Sequence, residues 1–461
     1  MRKILILLSI LLSSNLFGQV PSLSGTINIS IENGTIDCDF TLSEIPIIKN
    51  YEILINSGLN LNVIRSDEKK YNYGYEKNYN ENISDESFLY SIHNKEGKFL
   101  PKTLRFIYSG KFPVKSDTTF MRKSGDSKGN IAFNGKSLRM DGYQTNWYPV
   151  LYDVNKEKRY DIIKYDINVI CNDCKTLYVN GNKPLYSKNH NFKKDTPTEI
   201  FLFVGNYDFY NIDGIYFINP DINKKEMRNF AEVNKSFQSY YEKKLGIPFS
   251  GYFNYLQTTP TFKRKSGFLF VTYPTIANVG KDDYGFKFFV NDKNTYARPL
   301  IAHELAHYYF GSGYKRFNTE IGKIIQEGFA EYMSYKVSKD ILGKGVFKNK
   351  LENSLSRLKD KEFLPISKII TKKDFGKFYY PYVYNYFPTI LLALEREIGE
   401  KKMWNWMYIL LTTDAELTNF DFLKQAFIKA IGNSKKSSYL INKYFLSEKS
   451  LENALKEIDN K

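Results

Sequence analysis

The sequence predicts an α+β fold with more than one domain, in which an N-terminal all-β domain precedes a mainly helical domain. Short runs that alternate apolar and polar residues fill the first part of the chain, among them residues 26–31 and 175–179. Such alternation is typical of half-buried strands. From Arg298 onward the chain is mainly helical. A length of 461 residues agrees with two or three domains.

The chain starts with a segment typical of export. Residues 1–18 place Arg2 and Lys3 before an apolar core at residues 4–12, and Gly18 is a small residue at the end of the segment. We therefore expect a signal peptide and an exported protein, periplasmic or secreted, without stable membrane insertion. The alternative is an uncleaved N-terminal anchor, although the apolar core is too short to span a bilayer.

The β domain is expected to cover residues 19–213. Strand-like runs recur there, including residues 51–55, and Asn-Gly pairs at 33–34 and 180–181 are turn signals between such runs.

The second domain is expected to cover residues 214–461. Residues 226–244 are periodic enough for a helix, which should end before Gly246. Residues 250–290 are expected to form strands along a cleft, and Pro299 suits the first turn of the following helix.

The chain is basic, with 66 Lys and Arg residues against 50 Asp and Glu residues and a formal net charge of +16. A basic surface can attract nucleic acid. The lysines are scattered, however, and no arginine-rich stripe is present. We therefore expect no nucleic-acid partner, and the sequence leaves the oligomeric state open.

The three cysteines are Cys38, Cys171 and Cys174. The pair at 171 and 174 lacks a second pair, so a structural zinc site is not expected there. A small disulfide loop would suit an oxidising compartment. Free buried thiols are the alternative.

The run Ala-His-Glu-Leu-Ala-His, residues 302–307, is the most direct indication of chemistry. It holds two of the four histidines in the chain. His303 and His307 are four residues apart and therefore share one helix face. Two such imidazoles can bind one zinc ion, with Glu304 beside the metal as general base. The prediction is one zinc ion per chain. The alternative is an amphipathic helix with two core histidines.

Glu327, in the run Gln-Glu-Gly-Phe-Ala-Glu-Tyr, is the predicted third zinc ligand. A catalytic zinc usually has three protein ligands and one water, and Glu327 can supply the third from a second helix. Gly311 and Gly313 are expected to end the first helix, and Asn318 or Thr319 to cap the second. The second helix is expected to bury four apolar residues at core spacing: Ile321, Ile324, Ile325 and Phe329.

Glu331 lies one helical turn beyond Glu327, on the same face. A metal-bound histidine usually gives its second N–H to a carboxylate. We therefore predict that Glu331 accepts a hydrogen bond from a zinc ligand. The alternative is an ordinary exposed helix glutamate.

These motifs resemble the aminopeptidase N family of gluzincin zinc metallopeptidases. That family pairs His-Glu-x-x-His with a segment often written Asn-Glu-Gly-Phe-Ala-Glu-Tyr. Here Gln326 replaces the asparagine, and the spacer at residues 308–326 is one residue longer than usual and lacks the family's Trp-rich stretch. The resemblance implies a thermolysin-like catalytic domain after the family's β domain. It also implies a truncated member, since nothing remains for the helical-repeat domain that most members append.

Residues 384–395 extend the resemblance. They are similar to the family's Tyr-Glu-Lys-Gly helix start, which also runs into Leu-Glu eleven residues on, although the Lys-Gly part is absent. The resemblance implies that Tyr384 donates a hydrogen bond to the oxyanion. Tyr386 and Tyr382 remain alternatives for this role, and a packing tyrosine is the structural alternative.

Residues 279–286 match the family's Gly-Ala-Met-Glu-Asn segment most closely. In the family, the glutamate of that segment binds the free amine of the substrate. The resemblance implies that Asp282 binds the substrate here in its place. The alternative is a loop or edge strand with solvated charges.

The sequence thus predicts an exported, zinc-dependent, aminopeptidase-like enzyme that hydrolyses peptide substrates with a zinc-activated water. An endopeptidase or another small-substrate zinc hydrolase is the first alternative. The second is a non-catalytic exported binding protein that retains the fold, and the intact Glu304 argues against it.

Overall fold

The computed structural model divides the chain into two compact units. The first contains the described residues before Asp208, and the second those from Asp208 onward. Strands build the first unit and helices dominate the second, which confirms the predicted fold class. The predicted signal peptide lies outside the described residues. These are 20–67, 69–77, 86–92, 99–114, 131–258, 267–280, 285–290 and 297–459.

Three sheets form the described part of the first unit. Its strands are β1 (Ser22–Ser30), β2 (Thr35–Ser43), β3 (Tyr51–Asn56), β4 (Asn60–Arg65), β5 (Tyr73–Lys77), β6 (Ser87–Ile92), β7 (Leu104–Lys111), β8 (Ala132–Phe133), β9 (Ser137–Met140), β10 (Val150–Asp153), β11 (Lys158–Tyr160), β12 (Ile162–Cys171), β13 (Thr176–Val179), β14 (Leu185–Tyr186), β15 (Asn189–Glu199) and β16 (Leu202–Gly205). The strand orders are β15-β12-β1-β2-β7-β4, β11-β10-β3-β6-β5 and β14-β13-β16-β9-β8.

The predicted strands and turns of this unit are confirmed. Gly34 adopts φ 66° in the turn between β1 and β2, and Gly181 adopts φ 82° after β13, a left-handed conformation that glycine accepts without strain. Alternate residues of β12 are buried in the core, as the period of a strand requires: Ile163, Tyr165, Ile167 and Val169.

The cysteines of the first unit take one of the two states that the sequence leaves open. Cys171, the last residue of β12, forms a disulfide with Cys174. Cys38 is a buried free thiol.

The second unit starts with a sheet of mixed direction. Its strands are β17 (Phe209–Ile212), β18 (Ile215–Ile218), β19 (Asn254–Thr258), β20 (Phe268–Thr272) and β21 (Thr275–Val279), in the order β17-β18-β19-β21-β20. The boundary expected between residues 213 and 214 falls inside the β17–β18 hairpin. Because β18 pairs in parallel with β19, this hairpin belongs to the second unit, which begins at Asp208.

Helices dominate the rest of the second unit among the described residues. They are α1 (Lys224–Leu245), α2 (Phe286–Val290), α3 (Ala297–Ala306), α4 (Thr319–Asp340), α5 (Lys344–Leu358), α6 (Tyr379–Pro381), α7 (Phe387–Ile398), α8 (Glu400–Thr412), α9 (Phe420–Ile431), α10 (Ser434–Ile441) and α11 (Ser450–Asp459), with 3₁₀ turns at Ile366–Lys368 and Lys372–Phe375 and π-helical turns at Tyr382–Tyr386 and Asn442–Leu446. Within the described ranges, none of these helices has both the length and the apolar character needed to cross a membrane.

The predicted helix at residues 226–244 lies within α1. Asn223 and Glu226 form a capping box at its start, and Gly246 ends it in the left-handed conformation. The expectation of strands through residue 290 is wrong at its end, because α2 occupies Phe286–Val290. Asp221 Oδ1 accepts the N–H of Phe286 at 2.8 Å, so a residue distant in sequence caps this helical turn.

Helix α3 is held by neighbours on both sides. The hydroxyl of Tyr241 in α1 donates to the carbonyl of Ala302 at 2.8 Å, and the hydroxyl of Ser334 in α4 donates to the carbonyl of Pro299 at 2.5 Å. The four residues predicted as the core of α4 are all buried: Ile321, Ile324, Ile325 and Phe329.

Gly328 in α4 allows a close approach of α7. A Cβ atom at this position would lie 2.2 Å from Cδ1 of Phe387. Phe387 is 1% exposed and therefore buried in the core. A glycine at this point therefore sets the distance between the two helices.

We expect Gly328→Ala to destabilise the protein by about 1–3 kcal/mol, because a methyl group would overpack the core against Phe387. The measurement is the midpoint of denaturant unfolding. Gly345→Ala is the matched control, since a Cβ at Gly345 meets nothing within 4 Å, and it should be neutral or stabilising by about 0.4–1 kcal/mol. Equal midpoints for the two variants would contradict this account of the packing.

Candidate metal centre

His303 lies in the last turn of α3 and His307 just after its end, with their Nε2 atoms 3.1 Å apart. Both side chains are buried. The expectation that Gly311 and Gly313 end the helix is wrong, because α3 ends at Ala306. The chain tightens there, where the N–H of His307 donates to the carbonyl three residues earlier at 3.2 Å. The tightened turn still presents both imidazoles to one side.

Helix α4 begins at Thr319. The hydroxyl of Thr319 accepts the N–H of Gly322 at 3.3 Å, so Thr319 provides the side-chain cap. Asn318, the other predicted cap, instead donates from Nδ2 to the carbonyl of Glu416 at 2.7 Å.

Glu327 of α4 completes a set of three ligand atoms. Its Oε2 lies 3.4 Å from Nε2 of His303 and 3.4 Å from Nε2 of His307. The two imidazole nitrogens and the carboxylate oxygen all lie within 4.8 Å of one another. Among the described residues, Oε2 finds no hydrogen-bond partner although it is buried. Two nitrogens and one oxygen that converge in this way fit the ligand set of a catalytic zinc.

The second nitrogen of each imidazole contacts an oxygen. Nδ1 of His303 lies 3.0 Å from Oε2 of Glu331, and Nδ1 of His307 lies 2.9 Å from the carbonyl oxygen of Phe310. A carbonyl only accepts hydrogen bonds, so Nδ1 of His307 carries the proton. These contacts orient the two imidazoles, and Nε2 of each lies 3.4 Å from Oε2 of Glu327.

The electrostatics of the site favour a cation. Burial disfavours a charged His303, but Glu327 and Glu331 outweigh it and raise the pKa of this imidazole to about 10. Burial also disfavours ionised Glu327, yet the two imidazoles hold the pKa of its carboxyl well below the usual range. The negative charge of Glu304 contributes to the raised pKa values of both His303 and His307. A bound divalent cation would satisfy the same carboxylates.

Tyr384 lies beside His303, on the π-helical turn at Tyr382–Tyr386. Its ring centroid is 5.6 Å from that of His303. Burial, followed by the negative charge of Glu327, raises the pKa of the Tyr384 phenol well above its usual range. The phenol therefore keeps its proton and can donate it in a hydrogen bond.

The other two candidate tyrosines are bonded elsewhere. The hydroxyl of Tyr382 donates to the carbonyl of Leu364 at 3.0 Å, and that of Tyr386 pairs with the hydroxyl of Ser450 at 2.6 Å. Both side chains are 1% exposed. The structure thus places Tyr384 beside His303, whereas Tyr382 and Tyr386 are buried in the core.

Two further features of the site have no clear sequence signal. The carbonyl of Phe310 orients His307, and any residue type would offer the same carbonyl. Nζ of Lys350 contacts Oε1 of Glu331, but Lys350 is one of 66 basic residues in the chain. Asp282, the predicted amine-binding residue, lies outside the described residues.

Comparison with known proteins finds solved structures with a similar fold. No protein-family model matches the chain, and no curated protein matches its sequence. Native yeast LTA4 hydrolase is similar in structure, with a TM-score of 0.60 and 14% identity over 93% of this chain and 67% of that chain. Its complex with bestatin gives the same TM-score and coverage at 15% identity.

A mutant M1 zinc metallopeptidase from Deinococcus radiodurans, bound to a Tyr-Ser-Ala substrate, is similar as well. The TM-score is 0.56 and the identity 12%, over 93% of this chain and 94% of that chain. At these identities the likeness establishes a shared fold.

We expect the protein to bind one zinc ion per chain, and His303→Ala or His307→Ala to abolish binding, because each removes one of three donors. Metal analysis after zinc loading measures this directly. Zinc at about 100 times its Kd should also stabilise the parent protein by about 2.7 kcal/mol. His190→Ala is the matched control, since His190 is an exposed residue of β15. A parent protein that binds no zinc after loading refutes the assignment.

Proposed function

We propose that the protein is an exported zinc-dependent peptidase that acts as an aminopeptidase. One observation carries the proposal: Nε2 of His303, Nε2 of His307 and a carboxylate oxygen of Glu327 meet within 4.8 Å, with Glu304 next to His303 on α3. The neighbouring structures support it, since one is named a zinc metallopeptidase bound to a tripeptide substrate and another is a hydrolase bound to bestatin.

Zinc, when bound at such a site, lowers the pKa of a water molecule and polarises a carbonyl oxygen. His303, His307 and Glu327 would hold the ion. Glu304 lies between the two histidines in sequence and is half-buried, and we assign it the role of general base. It takes the proton of the attacking water and then delivers that proton to the departing amine.

We assign Tyr384 the role of hydrogen-bond donor to the oxyanion. Its phenol stays protonated because burial and the charge of Glu327 raise its pKa. It can therefore donate to the oxyanion that develops when the substrate carbonyl is attacked. A donor fixed in advance in this way stabilises the transition state by a few kcal/mol, of the order of 3.

Export rests on two features. Residues 1–18 have the charged start and apolar core of a signal peptide. The disulfide between Cys171 and Cys174 is also a bond that persists in oxidising compartments. Both features agree with a periplasmic or secreted protein.

Aminopeptidase action rests on Asp282. A carboxylate at that position would bind the free ammonium of a peptide through a charge-assisted hydrogen bond. The endopeptidase alternative differs in one respect, because it requires no recognition of a free amine.

Glu304→Gln should retain zinc and the fold but lose about 10²–10⁴-fold in hydrolysis, because the amide keeps the shape of the side chain and cannot accept the proton. Peptide hydrolysis is measured alongside zinc content and unfolding temperature. Glu352→Gln is the control, a glutamate on α5 whose side chain is 61% exposed. If Glu304→Gln hydrolyses peptide at the parental rate, Glu304 is not the base.

Free N-termini should be cleaved and N-acetylated ones ignored, if Asp282 binds the amine. Asp282→Asn should then reduce kcat/KM for a free peptide and leave its acetylated partner unaffected, because only the first carries an ammonium group. The measurement is cleavage of a matched pair of peptides, one free and one N-acetylated. Equal cleavage of the pair by the parent protein would favour an endopeptidase and remove the role given to Asp282.

A further inference from the structure

Lys350 is connected to the imidazole of His303 through the carboxylate of Glu331. Its Nζ forms an ion pair with Oε1 of Glu331 at 2.5 Å, and Oε2 of the same carboxylate lies 3.0 Å from Nδ1 of His303. The side chains of Lys350 and Glu331 are only 14% and 12% exposed. Each oxygen of Glu331 thus contacts a different partner, and the carboxylate is fixed from both ends.

Contacts of Lys350 and of its helix, α5, fix the position of the Lys350 side chain. Its Nζ lies 4.7 Å from the ring centroid of Tyr335, which is 1% exposed. One helical turn on, Ser354 lies on the same face of α5 and accepts a hydrogen bond from Nδ2 of Asn385 at 3.0 Å. This face of α5 is therefore packed at two successive turns.

We propose that Lys350 is a positioning residue of the metal centre, which orients the Glu331 carboxylate and, through it, Nε2 of His303. The proposal rests on the zinc site proposed above. A carboxylate that is held at one oxygen can rotate about its side-chain bonds, and the imidazole hydrogen-bonded to it then loses its direction. Groups that orient a ligand in this way contribute to metal affinity without touching the metal.

A charge effect and a positioning effect of Lys350 predict opposite results. Lys350 is a cation near a site for a divalent cation, so removal of its charge alone would strengthen zinc binding. Loss of orientation would instead weaken zinc binding, by about tenfold for a group of this kind. The sign of the change in zinc affinity therefore separates the two explanations.

The test compares Lys350→Met with Lys350→Arg and with Lys348→Met in the full chain. Lys348 is on the same helix, but its side chain is 74% exposed and forms only a surface ion pair with Glu352 at 3.8 Å. Zinc affinity is measured by competition with a chromogenic chelator, and the visible spectrum of the cobalt(II)-substituted protein reports ligand geometry. We expect about tenfold weaker zinc binding and an altered cobalt spectrum for Lys350→Met, with near-parental results for the other two variants.

Zinc affinity of Lys350→Met that is unchanged or tighter would overturn the proposal, and so would an equal loss in Lys348→Met. If Lys350→Met does not fold, Lys350→Gln provides the same test: weaker zinc binding supports positioning, and unchanged or tighter binding refutes it. Failure of the proposed function is distinguishable, because it would be seen in the parent protein as an absence of zinc binding or of peptide hydrolysis.

Discussion

The imidazole of His303 in α3, the imidazole of His307 just after it and the Glu327 carboxylate of α4 meet in a buried space, and the surrounding helices are arranged around that contact. Oε2 of Glu327 lies 3.4 Å from Nε2 of both His303 and His307. A slip of α4 by one residue, about 1.5 Å along its axis, would remove the carboxylate from the imidazoles. The packing of Phe387 in α7 against Gly328 opposes such movement. A slip that placed a larger residue at this point would bring its Cβ into Phe387.

Two sets of residues on helix α4 have separate roles, one at the metal site and one in packing against α7. Glu327 and Glu331, four residues apart, both lie against His303. Tyr332 and Lys336, also four residues apart, both bond to the carboxylate of Glu395 in α7, at 2.9 and 2.7 Å. Removing one partner from a buried ion pair of this kind leaves an uncompensated charge, which is strongly destabilising. Glu331 and Tyr332 are adjacent in the motif. Glu331 thus connects α4 to the metal site, and Tyr332 connects α4 to α7.

Helical spacing explains how much of the site could be predicted from the sequence. The pair Glu327 and Glu331 follows from the repeat of an α-helix. The same repeat predicts that His303 and His307 face one side, although the turn that carries His307 is tighter than an α-helix. The carbonyl of Phe310 could not be predicted, because no side chain marks it. Contacts between elements that are distant in sequence could not be predicted either. One example is the Asp221 carboxylate, which caps the first turn of α2.

X-ray absorption at the zinc edge, on protein loaded with one equivalent of zinc, tests the central assignment most directly. The account predicts two imidazole nitrogens at about 2.0–2.1 Å and a carboxylate oxygen at about 2.0–2.2 Å. A first shell of oxygen atoms alone, without imidazole scattering, would contradict a zinc site at His303, His307 and Glu327.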